Sequence, residues 1–139
     1  MLERFLDEHV EDMDETIVLT HVTSPFLKSE TILKAVEILE KNDYEYVHAV
    51  SKKNDFAWCK DFSQPVNFNP DIVQRTQDLD PIYLSNGAFF IMTKRAFKNN
   101  KNRIGEKIYL YNLSHVESVE LDYEEDFEFA KIVLKGLSK

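Results

Sequence analysis

The sequence predicts an α/β domain in which a mostly parallel or mixed sheet is flanked by helices. Two observations carry this. The short apolar run Ile17-Val18-Leu19 is followed by a 3.6-residue pattern beginning at Ser29 and then by a second apolar run from Glu45, so strand and helix alternate. The first run also ends directly in the polar turn Thr23-Ser24-Pro25, which gathers hydroxyls at the carboxyl end of a strand, where open α/β sheets take their ligands. A chain of 139 residues, 43% hydrophobic and 30% charged with 3 Gly and 4 Pro, is long enough for one core and too short for two. A single domain over residues 1–139 is therefore expected.

The elements follow in order. Leu2, Phe5 and Leu6 share helical spacing, which predicts a short amphipathic helix over Glu3 to His9. Thr16 to Thr20 reads as a central strand. Ser29 is placed to cap a helix over Glu30 to Lys41, with Ile32, Leu33, Val36 and Leu39 facing inward. Glu45 to Ser51 is a second strand, and Lys52-Lys53-Asn54-Asp55 a polar turn. Phe56 to Lys60 reads as a third strand forming a hairpin with the second. Residues 64–74 are broken by Pro65, Asn67, Asn69 and Pro70.

Asn86-Gly87 marks a turn or a tight backbone approach before the apolar strand Ala88 to Met92. Thr93 is placed to cap a short helix through Phe97 that ends at Asn99-Asn100. After a turn at Arg103-Ile104-Gly105 come a strand over Lys107 to Leu110 and a short last strand over Ser118 to Leu121. A closing helix over Glu124 to Lys135 is expected to bury Phe129, Ile132, Val133 and Leu137.

The formal net charge is −8, from 17 basic and 25 acidic side chains. Such a surface disfavours unspecific binding to nucleic acid or to anionic membrane. The basic residues Lys94, Arg95, Lys98, Lys101 and Arg103 read as a solvated helix end and loop. Cys59 is the single cysteine, which excludes an internal disulfide and a cysteine-based zinc site. With no membrane-length apolar run and an acidic first fifteen residues, the interior of a cell is the expected location.

Several side chains are candidates for chemistry. Glu120 and Asp122 leave the same face if their strand persists, and such a pair can hold Mg²⁺ when phosphate completes the shell. Asp122 is equally suited to cap the last helix with Glu125. Arg75 can grip a phosphate or a carboxylate in two-pronged fashion, and Gln77 offers a donor and an acceptor; a solvated loop is the alternative for both. Asn86 is open to a turn role or a ligand contact. His21, between the first strand and the Thr-Ser-Pro turn, is open to filling space, lining a pocket or acting as a base. The four histidines have no zinc spacing, and no base is identified to activate Ser24.

Taken in order, Leu19-Thr20-His21-Val22-Thr23-Ser24-Pro25-Phe26, Arg75-Thr76-Gln77-Asp78-Leu79, Asn86-Gly87-Ala88-Phe89-Phe90-Ile91 and Ser118-Val119-Glu120-Leu121-Asp122, before Glu125-Asp126 and the final helix, resemble the acylneuraminate cytidylyltransferase family. The resemblance runs from Thr16 to the C-terminus. It implies a Rossmann-like nucleotidyltransferase fold, here incomplete, and an activity that joins CTP to a nonulosonic (sialic-type) sugar acid with Mg²⁺ and release of pyrophosphate. It implies a homodimer, with residues 52–84 as the projecting or dimerisation segment. By the same resemblance His21, Thr23 and Ser24 lie on the nucleotide side, and Arg75, Gln77, Asn86, Phe89 and Phe90 on the sugar side. Glu120 and Asp122 would hold the metal.

The departures are specific. The family opens with a Gly-, Ser-, Arg- and Lys-rich phosphate loop that these residues do not contain. His21 stands where Gln is frequent, Glu120 where Asp is usual, and Asp80 interrupts a Leu-Pro run. The expectation is a truncated member, inactive by itself. The alternatives are a sugar-acid-binding or structural dimer without catalysis, or one part of a split enzyme.

Overall fold

The computed structural model describes all residues except Phe62, Val73 and Lys139. The elements are α1 (Leu2–His9), β1 (Thr16–Thr20), α2 (Ser29–Lys41), β2 (Tyr46–Lys53), a 3₁₀ turn (Thr76–Asp78), β3 (Ile82–Thr93), α3 (Lys94–Asn100), β4 (Ile108–Asn112) and α4 (Glu124–Leu137). The four strands form one sheet in the order β1-β3-β2-β4. β3 runs antiparallel to both β1 and β2, and only β2 and β4 are parallel. The sheet is thus mixed. The alternation of strand and helix at the start did not carry through, because β3 enters between β1 and β2 from the opposite direction.

Side chains alternate across the sheet with a period of two. Val47, Ala49, Phe89 and Ile91 face α2 and pack with Ala35 and Leu39. Tyr46, Phe90 and Met92 face the other way, against Leu6 of α1 and Ala96 and Phe97 of α3. Both faces of the sheet are covered, which is why β2 and β3 read as nearly continuous apolar runs.

Several expectations need correction. Ser29 begins α2 and does not cap it: the cap residue is Lys28. The inward face of α2 is Thr31, Ala35 and Leu39, whereas Leu33 is 64% exposed. One backbone amide and one hydroxyl at its start find a distant acceptor. Glu117, buried, accepts from Lys28 N (3.4 Å) and Thr31 Oγ1, and from Ser114 Oγ at 2.7 Å. Phe56 to Lys60 is not a strand of the sheet. β2 continues to Lys53 and pairs with Ile82–Ser85 of β3. The intervening residues close on themselves through the Trp58–Pro65 bridge and through Asn67, whose amide bonds Ala57 N, Asp55 O and Asp80 O.

Ser118 to Leu121 is not a strand either; residues 113–123 are turn and coil. The helix cap after it is Tyr123, and Asp126, not Asp122, supplies the carboxylate that accepts from the Asp122 and Tyr123 amides. Along α4 the predicted inward residues Phe129, Ile132 and Leu137 are exposed and only Ala130 is buried. Thr93 does cap α3, accepting from Ala96 N at 3.1 Å. The basic cluster at α3 is solvated in part: Arg95, Lys101 and Arg103 are exposed, but three of the five side chains are engaged. Arg95 holds Asp14 through two bonds, Lys98 reaches Glu3 and Asp7, and Lys94 is buried with its ammonium on Val10 O. No helix among the described residues is long and apolar enough to cross a membrane.

Candidate functional site

The site is built where β3 breaks register. His48 pairs Phe90 and Val50 pairs Ser85, so between these two pairs β2 contributes one residue and β3 contributes four. The excess residues Asn86, Gly87 and Ala88 leave the β2 ladder. Irregularities of this kind bend a strand and free its backbone groups. Here three of the freed groups, Gly87 N, Ala88 N and Ala88 O, are taken up locally. Asn86, buried, turns its amide so that Oδ1 accepts from Ala88 N (3.0 Å) and Nδ2 donates to Ser118 O (3.0 Å). Gly87 N donates to Glu120 Oε1 at 2.8 Å. Ala88 O accepts from His21 N at 3.4 Å, extending the β1 pairing past Thr20.

Gly87 is needed here for closeness and not for its dihedral freedom. A Cβ on it would lie 2.7 Å from Glu120 Oε1 and 2.9 Å from His21 Nδ1. Three residues that the sequence separates by 66 and 33 positions are therefore side by side: His21, Gly87 and Glu120. Thr23 joins them through its carbonyl, which accepts from Leu121 N at 2.9 Å. The turn after β1 and the stretch before α4 thus close over the carboxyl end of β1. Ser24 is 8% exposed, and its Oγ has no hydrogen-bond partner. Buried hydroxyls are seldom left so.

A second layer stands behind His21. Phe90 is stacked on His48 (4.4 Å between ring centroids, 18° apart) and lies 5.9 Å from the His21 ring. His48 is buried, and its Nε2 is 2.6 Å from Ser85 Oγ. Burial holds the imidazole below its ordinary range. Contact with the Phe89 backbone offsets part of that and the Arg103 charge adds to it. Arg103 itself lies with its guanidinium carbon 4.1 Å from the Phe90 centroid and Nη1 3.5 Å from His21 Nε2.

The remaining sequence candidates lie elsewhere. Arg75 is exposed and holds Asp78 with two bonds (2.8 and 3.2 Å), and Gln77 is exposed on the same 3₁₀ turn. Neither bonds to His21, Gly87 or Glu120. Phe89 is fully buried on the α2 face against Tyr111, opposite to Phe90. The two phenylalanines therefore do not act as a pair. Asp122 is exposed; its backbone N–H is engaged by Asp126. Sequence reasoning missed His48, Ser85 and Arg103. A histidine inside the apolar run Tyr46–Val50 was the available signal for the first. A surface hollow of about 780 Å³ lies between α2 and β4, lined by Lys34, Ile38, Tyr109 and Tyr111 among others. It contains none of these residues.

The fold has a counterpart among solved α/β structures. It is similar to the crystal structure of 4-diphosphocytidyl-2C-methyl-D-erythritol synthase from Anaerococcus prevotii DSM 20548, with a TM-score of 0.59 and 14% identity over 92% of this chain and 62% of that one. At that identity the likeness is one of fold. By sequence, residues 1–136 match the family described as Cytidylyltransferase, and the chain belongs to that family. It is 33% identical over 132 residues to the N-acylneuraminate cytidylyltransferase of Streptococcus agalactiae serotype III, covering 91% of this chain and 32% of the relative. It is 29% identical over 125 residues to N-acylneuraminate cytidylyltransferase A of Danio rerio, covering 84% and 28%. To the CMP-N,N'-diacetyllegionaminic acid synthase of Legionella pneumophila it is 27% identical over 126 residues, covering 87% and 54%. The chain thus spans about a third of the length of the first two relatives and about half of the third.

Proposed function

We propose that these residues form the acid-sugar and metal side of a cytidylyltransferase that joins CMP to a sialic-type sugar acid. In that reaction a sugar hydroxyl bonds to the α-phosphorus of CTP, and the bond to pyrophosphate breaks. One observation carries the reading: the register break in β3 brings Glu120 and His21 together against Gly87, at the carboxyl end of β1 and beside Thr23. Relatives named for acylneuraminate and for diacetyllegionaminate support the substrate class.

Each residue has a stated part. Thr23 and the buried, unpartnered Ser24 hydroxyl offer hydrogen bonds on the nucleotide side. Asn86 holds the register break open and keeps Gly87 N–H aimed at Glu120. Glu120 and Asp122 are the residues that would hold Mg²⁺. Among the described residues no group of three or more His, Cys, Asp or Glu is placed to bind a metal. Mg²⁺ takes one or two carboxylates and fills its remaining positions with water and phosphate oxygens; the pairing of Glu120 with Asp122 rests on the family resemblance, since the strand expected to put both on one face is not formed. When bound, the ion offsets charge on the phosphates. Arg75 and Gln77 lie on the 52–84 segment and are proposed to serve the sugar site of a second subunit, which is consistent with their exposure here.

The 139 residues alone are proposed to be catalytically incomplete. Transfer at phosphorus depends on positioning and charge stabilisation. The three glycines, Gly87, Gly105 and Gly136, stand far apart and form no phosphate-cradling loop. The test is pyrophosphate release from CTP with Mg²⁺ and a panel of nonulosonic acids. The chain alone should show none above background. Addition of the N-terminal portion of the Streptococcus relative should restore release, and Glu120→Ala and Asp122→Ala should abolish it. Release that ignores both carboxylates would overturn the assignment of this site.

A further inference from the structure

Of the four arginines in the chain, three are held by carboxylates: Arg4 by Glu8, Arg75 by Asp78 and Arg95 by Asp14. In a chain of net charge −8 that is the usual fate of a guanidinium. Arg103 has no acidic partner among the described residues. Its guanidinium carbon lies over the Phe90 ring, 4.1 Å from the centroid, and Nη1 reaches His21 Nε2 at 3.5 Å, the limit of a hydrogen bond. Stacking on an aromatic ring fixes the plane of a guanidinium and leaves its edge free. A guanidinium has five N–H donors, and among the described residues only this one contact engages them.

The loop that carries Arg103 is fastened at both ends to Tyr46, which is fully buried. On one side Lys101 closes α3 in the left-handed conformation (φ 51°), and Asn100 Nδ2 donates to Tyr46 Oη at 2.8 Å. On the other, Gly105 lies on the Tyr46 ring so closely that a Cβ would come within 2.2 Å of Cε2. Lys107 O accepts from Tyr46 N at 3.1 Å. Arg103 is exposed, and the loop that presents it is anchored on Tyr46 at both ends. His21 links it to the rest of the site, with Arg103 at its Nε2 and Gly87 and Glu120 on its Nδ1 side.

We propose that Arg103 is the anion-gripping residue of this site. Its free edge takes an oxyanion in two-pronged fashion, either the carboxylate of an acid sugar or a phosphate of the nucleotide. The choice of these ligands rests on the function proposed above; the anion grip itself does not. A neutral ligand gains only ordinary hydrogen bonds from Arg103, an anion gains charge-assisted ones, and the Glu120 carboxylate near the Nδ1 side of His21 disfavours an anion there.

Titration calorimetry of the full chain tests this with three probes: N-acetylneuraminate, CTP without metal, and inorganic pyrophosphate. Wild type is compared with Arg103→Gln, Arg103→Lys and the charge-matched control Arg4→Gln, with circular dichroism as the check on folding. Arg103→Gln should weaken at least one probe by about tenfold or more, as expected for losing charge-assisted bonds. Arg103→Lys should recover only part, and Arg4→Gln should match wild type. A loss confined to N-acetylneuraminate assigns the grip to the sugar carboxylate, and one confined to CTP assigns it to phosphate. Pyrophosphate binding that depends on Arg103, with neither substrate bound by wild type, would keep the anion grip and sink the proposed function. Equal affinities for every probe in wild type and Arg103→Gln, or no binding of any probe by wild type, would overturn the inference.

Discussion

A methyl group at Gly87 would meet the ends of two side chains, Glu120 and His21, whereas one at Gly105 would meet the ring of Tyr46. The difference sets the outcome of the two alanine substitutions. Glu120 and His21 can swing aside, so Gly87→Ala should cost little stability but break the Gly87–Glu120 bond and disturb the site. Tyr46 cannot move. It is fully buried, its hydroxyl donates to Ala96 O at 2.7 Å, and it accepts from Asn100. Overpacking against such a neighbour costs about 1–3 kcal/mol. Urea unfolding should therefore rank Gly105→Ala as clearly less stable than Gly87→Ala; the reverse order would show that the β3–Glu120 contact is the more rigid of the two.

At the scale of elements, α2 depends on a carboxylate from 86 positions away. Glu117 satisfies the first turn of α2 through Lys28 N and Thr31 Oγ1, and the 113–123 stretch through Ser114. Burial raises its pKa, but the bonds from Thr31, Ser114 and Lys28 outweigh that and hold it below its ordinary value of 4.5. Glu117→Ala leaves those donors without a partner and should cost about 2–4 kcal/mol. His48 is also depressed, by burial first, from its ordinary value of 6.5. Both shifts have the same sign in the linkage. In each case the unfolded chain takes up the proton at a higher pH than the folded one, so stability is lost as pH falls. The loss should begin below about pH 6.5 from His48 and deepen below about pH 4.5 from Glu117. Unfolding free energies measured from pH 7.5 to 3.5 should show both limbs. His48→Gln should flatten the upper limb and Glu117→Gln the lower; an unchanged slope in either variant would remove that residue from the account.

At the scale of the whole molecule, large apolar side chains stand exposed along two stretches. Trp58, Val66, Ile72 and Leu84 are each about half exposed in or beside the 52–84 segment. So are Phe127, Phe129, Ile132 and Leu134 on α4. A second copy that covers the 52–84 segment would bury the first set and bring Arg75 and Gln77 to a neighbouring site. Light scattering at low micromolar concentration is expected to give about twice the 16.3 kDa chain mass. Trp58→Glu should shift the particle toward the single-chain mass while leaving the circular dichroism of the sheet and helices intact. A single-chain mass across a hundredfold range of concentration would exclude this assembly.

The sequence by itself determined the elements whose signal is local. β1, α2, β2, α3 and the start of α4 each lie within a few residues of their expected bounds, because apolar periodicity and a cap such as Thr93 act over one or two turns. The family could also be read there, since its motifs are short runs of neighbouring residues. What only the tertiary structure decided is non-local. Ser118–Leu121 alternates like a strand, yet no strand pairs with it, and its Glu120 serves Gly87 instead. The apolar stripe of α4 was visible, but a stripe does not say what covers it. Arg103 looked like one more solvated cation; its place over Phe90 depends on Tyr46, 57 positions earlier, holding the loop from beneath. The site arises from a break in the β2–β3 register. Register is set by the fit of whole strands and distant side chains, and no window of neighbouring residues contains that information.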